Sequence, residues 1–181
     1  MRTILLATTN SRKIREATAA CKKFNIEVEQ IKLDIDEIQS SDPEEIGRDK
    51  VSKAFKQTQK PVVITDTSWN IPSLKGFPGG YMKDVANWFE PEDFLNLVRS
   101  KDRKIAFTEN IFYKDAKQIK QFSREFWGEL INKPRGKDGN SIERIAAFGG
   151  KTIAENRDIG KLSHDPEDYI WFDFAKWYSE L

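Results

Sequence analysis

The chain has 181 residues, enough for one domain that buries about two thirds of its unfolded surface. Thirty Lys and Arg residues against 29 Asp and Glu residues leave a formal net charge of +1, which argues against a nucleic-acid partner gripped along its phosphate backbone. The single cysteine, Cys21, excludes an internal disulfide and is typical of a cytoplasmic protein. No apolar run approaches the ~18 residues that cross a bilayer, so no membrane partner is expected.

The N-terminal part predicts the order strand, helix, strand, helix, strand. An apolar run predicts the first strand, and apolar residues at helical spacing predict the helix after it. Lys13 lies outside their stripe and is therefore expected at an exposed position. Asp42 followed by Pro43 predicts the start of the second helix. The predicted strands cover residues 2–8, 27–34 and 61–67. This alternation favours an α/β sheet with crossover helices.

The C-terminal part predicts a different arrangement. Pro91 begins a short helix, and two strand-like segments around the turn "KDAK" predict a long antiparallel hairpin over residues 104–113 and 118–131. The last predicted helix starts at Asp165, with Pro166 next, and carries an apolar stripe that ends at Leu181. We expect this helix to pack on the sheet.

A polar turn follows the first strand, where ligands bind in open α/β sheets. Thr8, Thr9 and Asn10 offer side-chain donors, Lys13 adds a positive charge, and a helix N-terminus attracts anions. These features indicate a site for a small anion. The alternative interpretation is a plain N-cap, with Asn10 or Ser11 capping an amphipathic helix.

Carboxylates follow the other two strands of this part. Asp66 ends the strand "VVITDT", where it could bind a hard cation or accept a proton from water, oriented by Thr67 and Ser68. A second acidic group, residues 34–37, follows the preceding strand and includes Glu37. The alternatives are an Asx-turn or helix cap at Asp66 and a solvated acidic turn at residues 34–37.

Three further segments are weaker signals. The glycine-rich stretch before Lys83 and the basic loop "KPRGKDGNS" could bring backbone close to a ligand, but each is also typical of an ordinary turn. The sole histidine, His164, is typical of a surface or capping residue.

Taken in order, these segments resemble the inosine triphosphate pyrophosphatase family, also called the Ham-type nucleoside triphosphate pyrophosphatases. The matching segments are "TTNSRK", Glu37, "TDTS", "FPGGYMK", "KPRG", "TIAE" and "SHD". The resemblance implies a mixed α/β fold with an elongated central sheet, flanking helices and two lobes around a nucleotide cleft. It also implies Mg²⁺-dependent hydrolysis of a nucleoside triphosphate to the monophosphate and pyrophosphate, and a homodimer.

The resemblance also implies roles for individual residues. Glu37 and Asp66 would manage Mg²⁺, or Mn²⁺ as an alternative ion, and the attacking water. Lys13 would serve catalysis by holding the phosphate tail. The other implied substrate-binding residues are Thr8, Thr9, Asn10, Lys50, Thr67, Ser68, Lys83, Glu143, Ser163, His164 and Asp165.

The sequence departs from the family pattern at three places. Thr65 stands where the family has an acid before the catalytic aspartate, and Asn140 and Ile142 stand where it has aromatic residues that support the base. Asp165 replaces an arginine that donates to the 6-oxo group of the purine, so we expect a base with an amino group to be favoured. The chain is therefore predicted to be a diverged pyrophosphatase. The alternative is a nucleotide-binding protein on the same scaffold that lacks efficient turnover.

Overall fold

A computed structural model describes residues 2–160 and 170–181 of the chain. Within this part, eight strands are hydrogen-bonded in the order β2-β1-β3-β5-β6-β7-β8, and β4 pairs with β3. The strands are β1 (Arg2–Ala7), β2 (Ile26–Ile31), β3 (Val62–Ile71), β4 (Phe77–Gly79), β5 (Lys104–Lys114), β6 (Ile119–Leu130), β7 (Ala146–Phe148) and β8 (Lys151–Thr152). The helices are α1 (Ser11–Lys22), α2 (Pro43–Thr58), α3 (Met82–Trp88), α4 (Pro91–Leu97), α5 (Ile153–Asp158) and α6 (Ile170–Ser179). The expected mixed α/β sheet with flanking helices is confirmed.

The described chain forms two compact units. The first comprises residues 2–66, 109–124 and 170–181, and the second comprises residues 67–108 and 125–160. No helix of the described residues is long and apolar enough to cross a membrane.

In the first unit, helices pack on both faces of a parallel set of strands. β1 pairs in parallel with both β2 and β3. Helices α1 and α6 share one apolar cluster with β1, and α2 shares another with β3 and β5. Gly47 lets α2 approach β5 closely, because a Cβ at this position would lie 2.1 Å from the buried Phe112 ring. These packed helices fix where the loops after the strands emerge.

The second unit has its own apolar core. The C-terminal half of β3 pairs antiparallel with β4, and β7 pairs antiparallel with β6 and β8. Helices α3 and α4 pack with the strands through fully or almost fully buried side chains that include Val85, Phe94, Ile105 and Leu130.

Two predictions about element ends are wrong. β3 does not end at Asp66 but continues to Ile71, because β4 supplies a new partner from Trp69 onward. Asp66 therefore lies within a strand, which removes the Asx-turn and cap interpretations. Leu181 lies beyond the end of α6 and is 56% exposed, so it does not extend the apolar stripe of that helix.

Candidate active site

Three segments of the first unit leave the sheet at the same edge. β2, β1 and β3 lie side by side in parallel, so their carboxyl ends point the same way. Residues 8–10 follow β1, and residues 34–37 lie in the loop that follows β2. In the register of β1 with β3, Leu6 pairs with Val63, so Asp66 lies beyond the last paired residue at this edge. This edge of the sheet therefore carries the polar turn, the acidic loop and the Asp66 carboxylate. Open α/β sheets bind ligands at such an edge.

The polar turn caps α1. Asn10 is the N-cap, and its Oδ1 accepts a hydrogen bond from the Arg12 backbone N–H at 2.9 Å. The Thr8 hydroxyl oxygen accepts from the Asn10 N–H at 3.2 Å, and Thr9 is exposed. The N-cap interpretation is therefore observed. It leaves α1 starting at the sheet edge with its amide dipoles directed outward.

Lys13 is half-buried rather than solvated, which corrects the expectation of an exposed helical lysine. Its Nζ donates to the Thr65 carbonyl oxygen at 3.2 Å, so the ammonium lies beside the backbone of β3. Burial lowers the pKa of Lys13, and the Asp66 carboxylate acts in the opposite direction. The positive charge predicted for the anion site is thus held next to the predicted catalytic carboxylate.

The acidic loop is fastened to one face of α2. Lys50 forms an ion pair with Glu37, Lys53 Nζ donates to the Asp36 carbonyl oxygen at 2.8 Å, and Gln57 Nε2 donates to the Asp34 carbonyl oxygen at 2.8 Å. The three helix residues follow i, i+3, i+7 spacing, which places them on one side of the helix. The Glu37 side chain remains 54% exposed, so its carboxylate is accessible to a ligand.

A buried charged cluster next to Lys13 was not predicted. Arg12 Nη1 lies 2.9 Å from Oε1 of Glu16 on α1 and 3.7 Å from Oε1 of Glu109 on β5. The Glu16 side chain is 5% exposed and that of Glu109 is 15% exposed. The signal available in the sequence was weak: Glu16 directly precedes the inward-facing Ala17, and Glu109 interrupts an alternating apolar strand.

The cluster makes stability depend on pH. Burial raises the pKa of both Glu16 and Glu109, and Arg12 only partly offsets this. Between the ordinary glutamate pKa of about 4.3 and the raised values, the folded chain binds more protons than the unfolded chain, so stability falls as pH rises through this window. We expect Glu109→Gln to stabilise the protein at pH 8, with a gain that shrinks as pH falls toward 4.

Urea unfolding at a series of pH values measures this effect. Glu29→Gln is the matched control, because Glu29 lies on β2 of the same unit and is exposed. A gain from Glu109→Gln that does not vary with pH, or that Glu29→Gln reproduces, would contradict the prediction.

The second unit contains four of the predicted site residues. Thr67 and Ser68 continue β3 directly after Asp66, and Ser68 is buried. Lys83 lies in the first turn of α3 and is exposed. The predicted tight turn before it is β4, with a cis peptide bond between Phe77 and Pro78.

Glu143, the fourth of these predicted site residues, is hydrogen-bonded to other residues of the second unit. Both of its carboxylate oxygens accept hydrogen bonds from the Arg157 guanidinium, one of them at 2.7 Å. Glu143 Oε2 also accepts from the Asn140 N–H at 2.9 Å, and Asn140 Oδ1 accepts from the Glu143 N–H at 3.1 Å. Ile142 is fully buried in the apolar core. The segment that departs from the family pattern is thus a hydrogen-bonded turn over a core residue.

The "KPRG" and "TIAE" segments contact each other. Thr152 and Glu155 form a capping box at the start of α5, and the Thr152 hydroxyl donates to the Arg135 carbonyl oxygen at 2.9 Å. Gly136 has a φ of +81°, and a Cβ there would lie 2.5 Å from the Ala154 carbonyl carbon and the Glu155 nitrogen. Both segments therefore have a structural role in joining this loop to α5.

The remaining predicted site residues, Ser163, His164 and Asp165, lie outside the described residues. Among the described residues, no group of three or more His, Cys, Asp or Glu side chains is arranged to hold a metal ion. A metal site formed by Glu37 and Asp66 would have two carboxylates, which is fewer than the three side chains of such a group. Mg²⁺ in triphosphate sites needs only one or two protein carboxylates, because phosphate oxygens and water complete its coordination.

Comparison with known proteins identifies the family. The sequence profile of the Ham1 family matches residues 4–164, which is most of the chain, and the chain belongs to this family. It is 31% identical over 179 residues to a protein of Saccharolobus solfataricus named dITP/XTP pyrophosphatase, covering 96% of this chain and 93% of that protein. It is 32% identical over 168 residues to inosine triphosphate pyrophosphatase 2 of Trypanosoma cruzi, covering 90% of this chain and 85% of that protein. The family predicted from the sequence motifs is confirmed.

Solved structures support the fold. The Ham1 protein of Staphylococcus aureus superposes with a TM-score of 0.81 at 22% identity, covering 99% of both chains. A HAM1 protein from Coxiella burnetii superposes with a TM-score of 0.80 at 22% identity, covering 100% of both chains.

Proposed function

We propose that this chain hydrolyses a nucleoside triphosphate to the monophosphate and pyrophosphate, and so removes unwanted nucleotides from the cellular pool. The observation that carries the proposal is the convergence of the polar turn, the acidic loop and Asp66 at one sheet edge, with Lys13 beside Asp66. The names of the relatives, dITP/XTP pyrophosphatase and inosine triphosphate pyrophosphatase, agree with this reaction. The enzyme is then a hydrolase that acts on acid anhydrides.

The triphosphate tail would be held by cations and helix dipoles. Lys13 supplies an ammonium at the start of α1, and Lys50 supplies a second one from α2. Anionic phosphate oxygens accept charge-assisted hydrogen bonds from such groups, and these are stronger than neutral ones. Thr8, Thr9 and Asn10 would line the tail at the turn. The family resemblance predicts Thr67, Ser68, Lys83 and Glu143 as further substrate-binding residues.

Glu37 and Asp66 would hold the divalent cation, Mg²⁺ or Mn²⁺. Both offer the hard oxygen donors that such ions prefer, and the Glu37 carboxylate is accessible. When bound, the ion would offset charge on the tail and polarise a phosphoryl oxygen. Asp66 would also orient the attacking water and accept its proton, since a carboxylate within reach of the nucleophile can act as general base.

Hydrolysis in ¹⁸O-labelled water tests the reaction. Water oxygen bonds to the α-phosphorus while the bond from that phosphorus to the α,β-bridging oxygen breaks, so the label should appear in the monophosphate and pyrophosphate should leave unlabelled. A panel of nucleoside triphosphates, assayed for pyrophosphate and orthophosphate, also tests the base. Asp165 predicts a preference for amino bases, whereas the names of the relatives point to dITP and XTP. Label in orthophosphate would overturn the proposed reaction.

Lys13→Ala tests the tail site. We expect KM for the triphosphate to rise at least about tenfold, because a charge-assisted contact to phosphate is lost. The melting temperature should hold or rise, since the substitution also removes a cation whose burial is unfavourable. Steady-state kinetics and thermal unfolding measure the two effects.

Arg15→Ala is the matched control for Lys13→Ala, because it removes a cation from an exposed position two residues further along α1. An unchanged KM in Lys13→Ala, or an equal change in both variants, would contradict the assignment.

The alternative function, nucleotide binding without efficient turnover, predicts affinity for triphosphates with no release of pyrophosphate in the same panel. A homodimer, a cytoplasmic location and the absence of nucleic-acid and membrane partners remain predictions from the sequence and the family resemblance.

A further inference from the structure

The cluster of Arg12, Glu16 and Glu109 combines burial with charge in a way that packing alone does not require. Glu109 follows Ile105 and Phe107 at alternate positions of β5 and precedes Ile111, so a carboxylate interrupts an apolar row. A buried ion pair is often no more stable than well-packed apolar side chains in its place. Stability therefore gives no reason for the three charges.

Two carboxylates restrict one guanidinium. Arg12 Nη1 reaches Oε1 of Glu16 at 2.9 Å and Oε1 of Glu109 at 3.7 Å, and these partners belong to different elements, α1 and β5. Arginine loses side-chain conformational freedom when it is held, so a mobile guanidinium would lose this freedom on binding a ligand. Both contacts are made at Nη1, and together they restrict the guanidinium before any ligand arrives.

Arg12 lies close enough to the predicted anion site for its charge to act on Lys13. Arg12 is in the first turn of α1, next to Lys13, and 34% of its side chain is exposed. Two adjacent cations repel each other, and the charges on Arg12 and Glu109 act on Lys13 in opposite directions. The planar fork of arginine has five N–H donors and matches phosphate oxygens better than a lysine ammonium does.

We propose that Arg12 is a further residue that binds the triphosphate tail, and that Glu16 and Glu109 are positioning residues that hold its guanidinium for this contact. The proposal rests on the proposed function only for the identity of the ligand. The triphosphate tail would then be bound by the guanidinium of Arg12 as well as by the ammonium of Lys13.

Calorimetric titration with inorganic tripolyphosphate in the presence of Mg²⁺ tests the proposal without depending on turnover or base. We expect Arg12→Lys to weaken binding about tenfold, because the charge remains but the fork and its two anchors are lost. Arg15→Lys is the matched control on the same helix and should bind as the wild type does. Wild-type affinity in Arg12→Lys, or equal losses in both variants, would overturn the role of Arg12.

Glu109→Gln separates positioning from simple charge. Removal of a negative charge should by itself tighten binding of an anion, and this is the only effect expected in an Arg12→Ala background. In the wild-type background, Glu109→Gln also removes a contact that holds Arg12, and this loss weakens binding. We therefore expect the ratio of Kd with and without Glu109→Gln to differ about tenfold between the two backgrounds. The double variant also removes one of the carboxylates that Arg12→Ala leaves unpaired, which supports folding.

An identical effect of Glu109→Gln in both backgrounds would overturn the positioning role. The proposed function fails on different grounds, namely if the wild type binds tripolyphosphate but releases no pyrophosphate from any nucleotide of the panel.

Discussion

Asp66→Asn is expected to lower turnover by about 100-fold or more while the protein keeps its fold. The amide retains the size of the carboxylate and most of its hydrogen bonding but removes the charge that would hold the cation and accept the proton of water. The melting temperature should fall only modestly, because the half-buried Lys13 loses a carboxylate that favours its charged form. Initial rates of pyrophosphate release and thermal unfolding measure both quantities.

Asp138→Asn is the matched control for this substitution, because Asp138 lies in an exposed loop of the second unit. Glu37→Gln should act in the same direction as Asp66→Asn, and the double variant should be far less impaired than the product of the two effects, since both carboxylates are assigned to one assembly. Full activity in Asp66→Asn would remove the ground for the assigned mechanism.

Gly136→Ala is expected to lower the free energy of unfolding by about 3 kcal/mol or more. The positive φ of +81° disfavours any residue with a Cβ, and the added atom would lie 2.5 Å from the backbone of α5, which cannot move aside as a flexible side chain can. Urea unfolding measures the loss, and weakened contact between the "KPRG" loop and α5 should accompany it.

Gly150→Ala separates the two causes. Gly150 has nearly the same φ, +85°, but a Cβ there would meet no atom within 4 Å. Only the backbone cost of about 1 kcal/mol is expected at this position. A similar loss of unfolding free energy in both variants would show that the close approach at Gly136 does not contribute to stability.

The features that the sequence predicted well depend on local chemistry. Asn10 and Asp42 were recognisable as caps because a side-chain oxygen that accepts from a backbone N–H two residues on is a short-range device. The α/β arrangement of β1, β2 and β3 with crossover helices followed from the alternation of strands and helices. Motif order then predicted the family, although each motif was weak by itself.

The features that the sequence missed depend on contacts between distant segments. β3 continues past Asp66 only because β4 pairs with it, and no local signal marks that change of partner. Lys13 was expected to be solvated, since its position relative to the apolar stripe of α1 could not reveal the Thr65 carbonyl oxygen beside it. Glu109 was overlooked because its partner, Arg12, lies almost a hundred residues away in the chain.

The contacts between the acidic loop and α2 would give the proposed site a means of cooperative binding. In the structure Glu37 satisfies the positive charge of Lys50. On the proposed assignment, a cation that binds Glu37 would compete with Lys50 for this carboxylate, and an ammonium released from Glu37 would become available to the phosphate tail. Cation and tail would thus each raise the affinity of the site for the other, and by linkage the two factors must be equal. Lys50 would thereby link the binding of the cation to the binding of the tail.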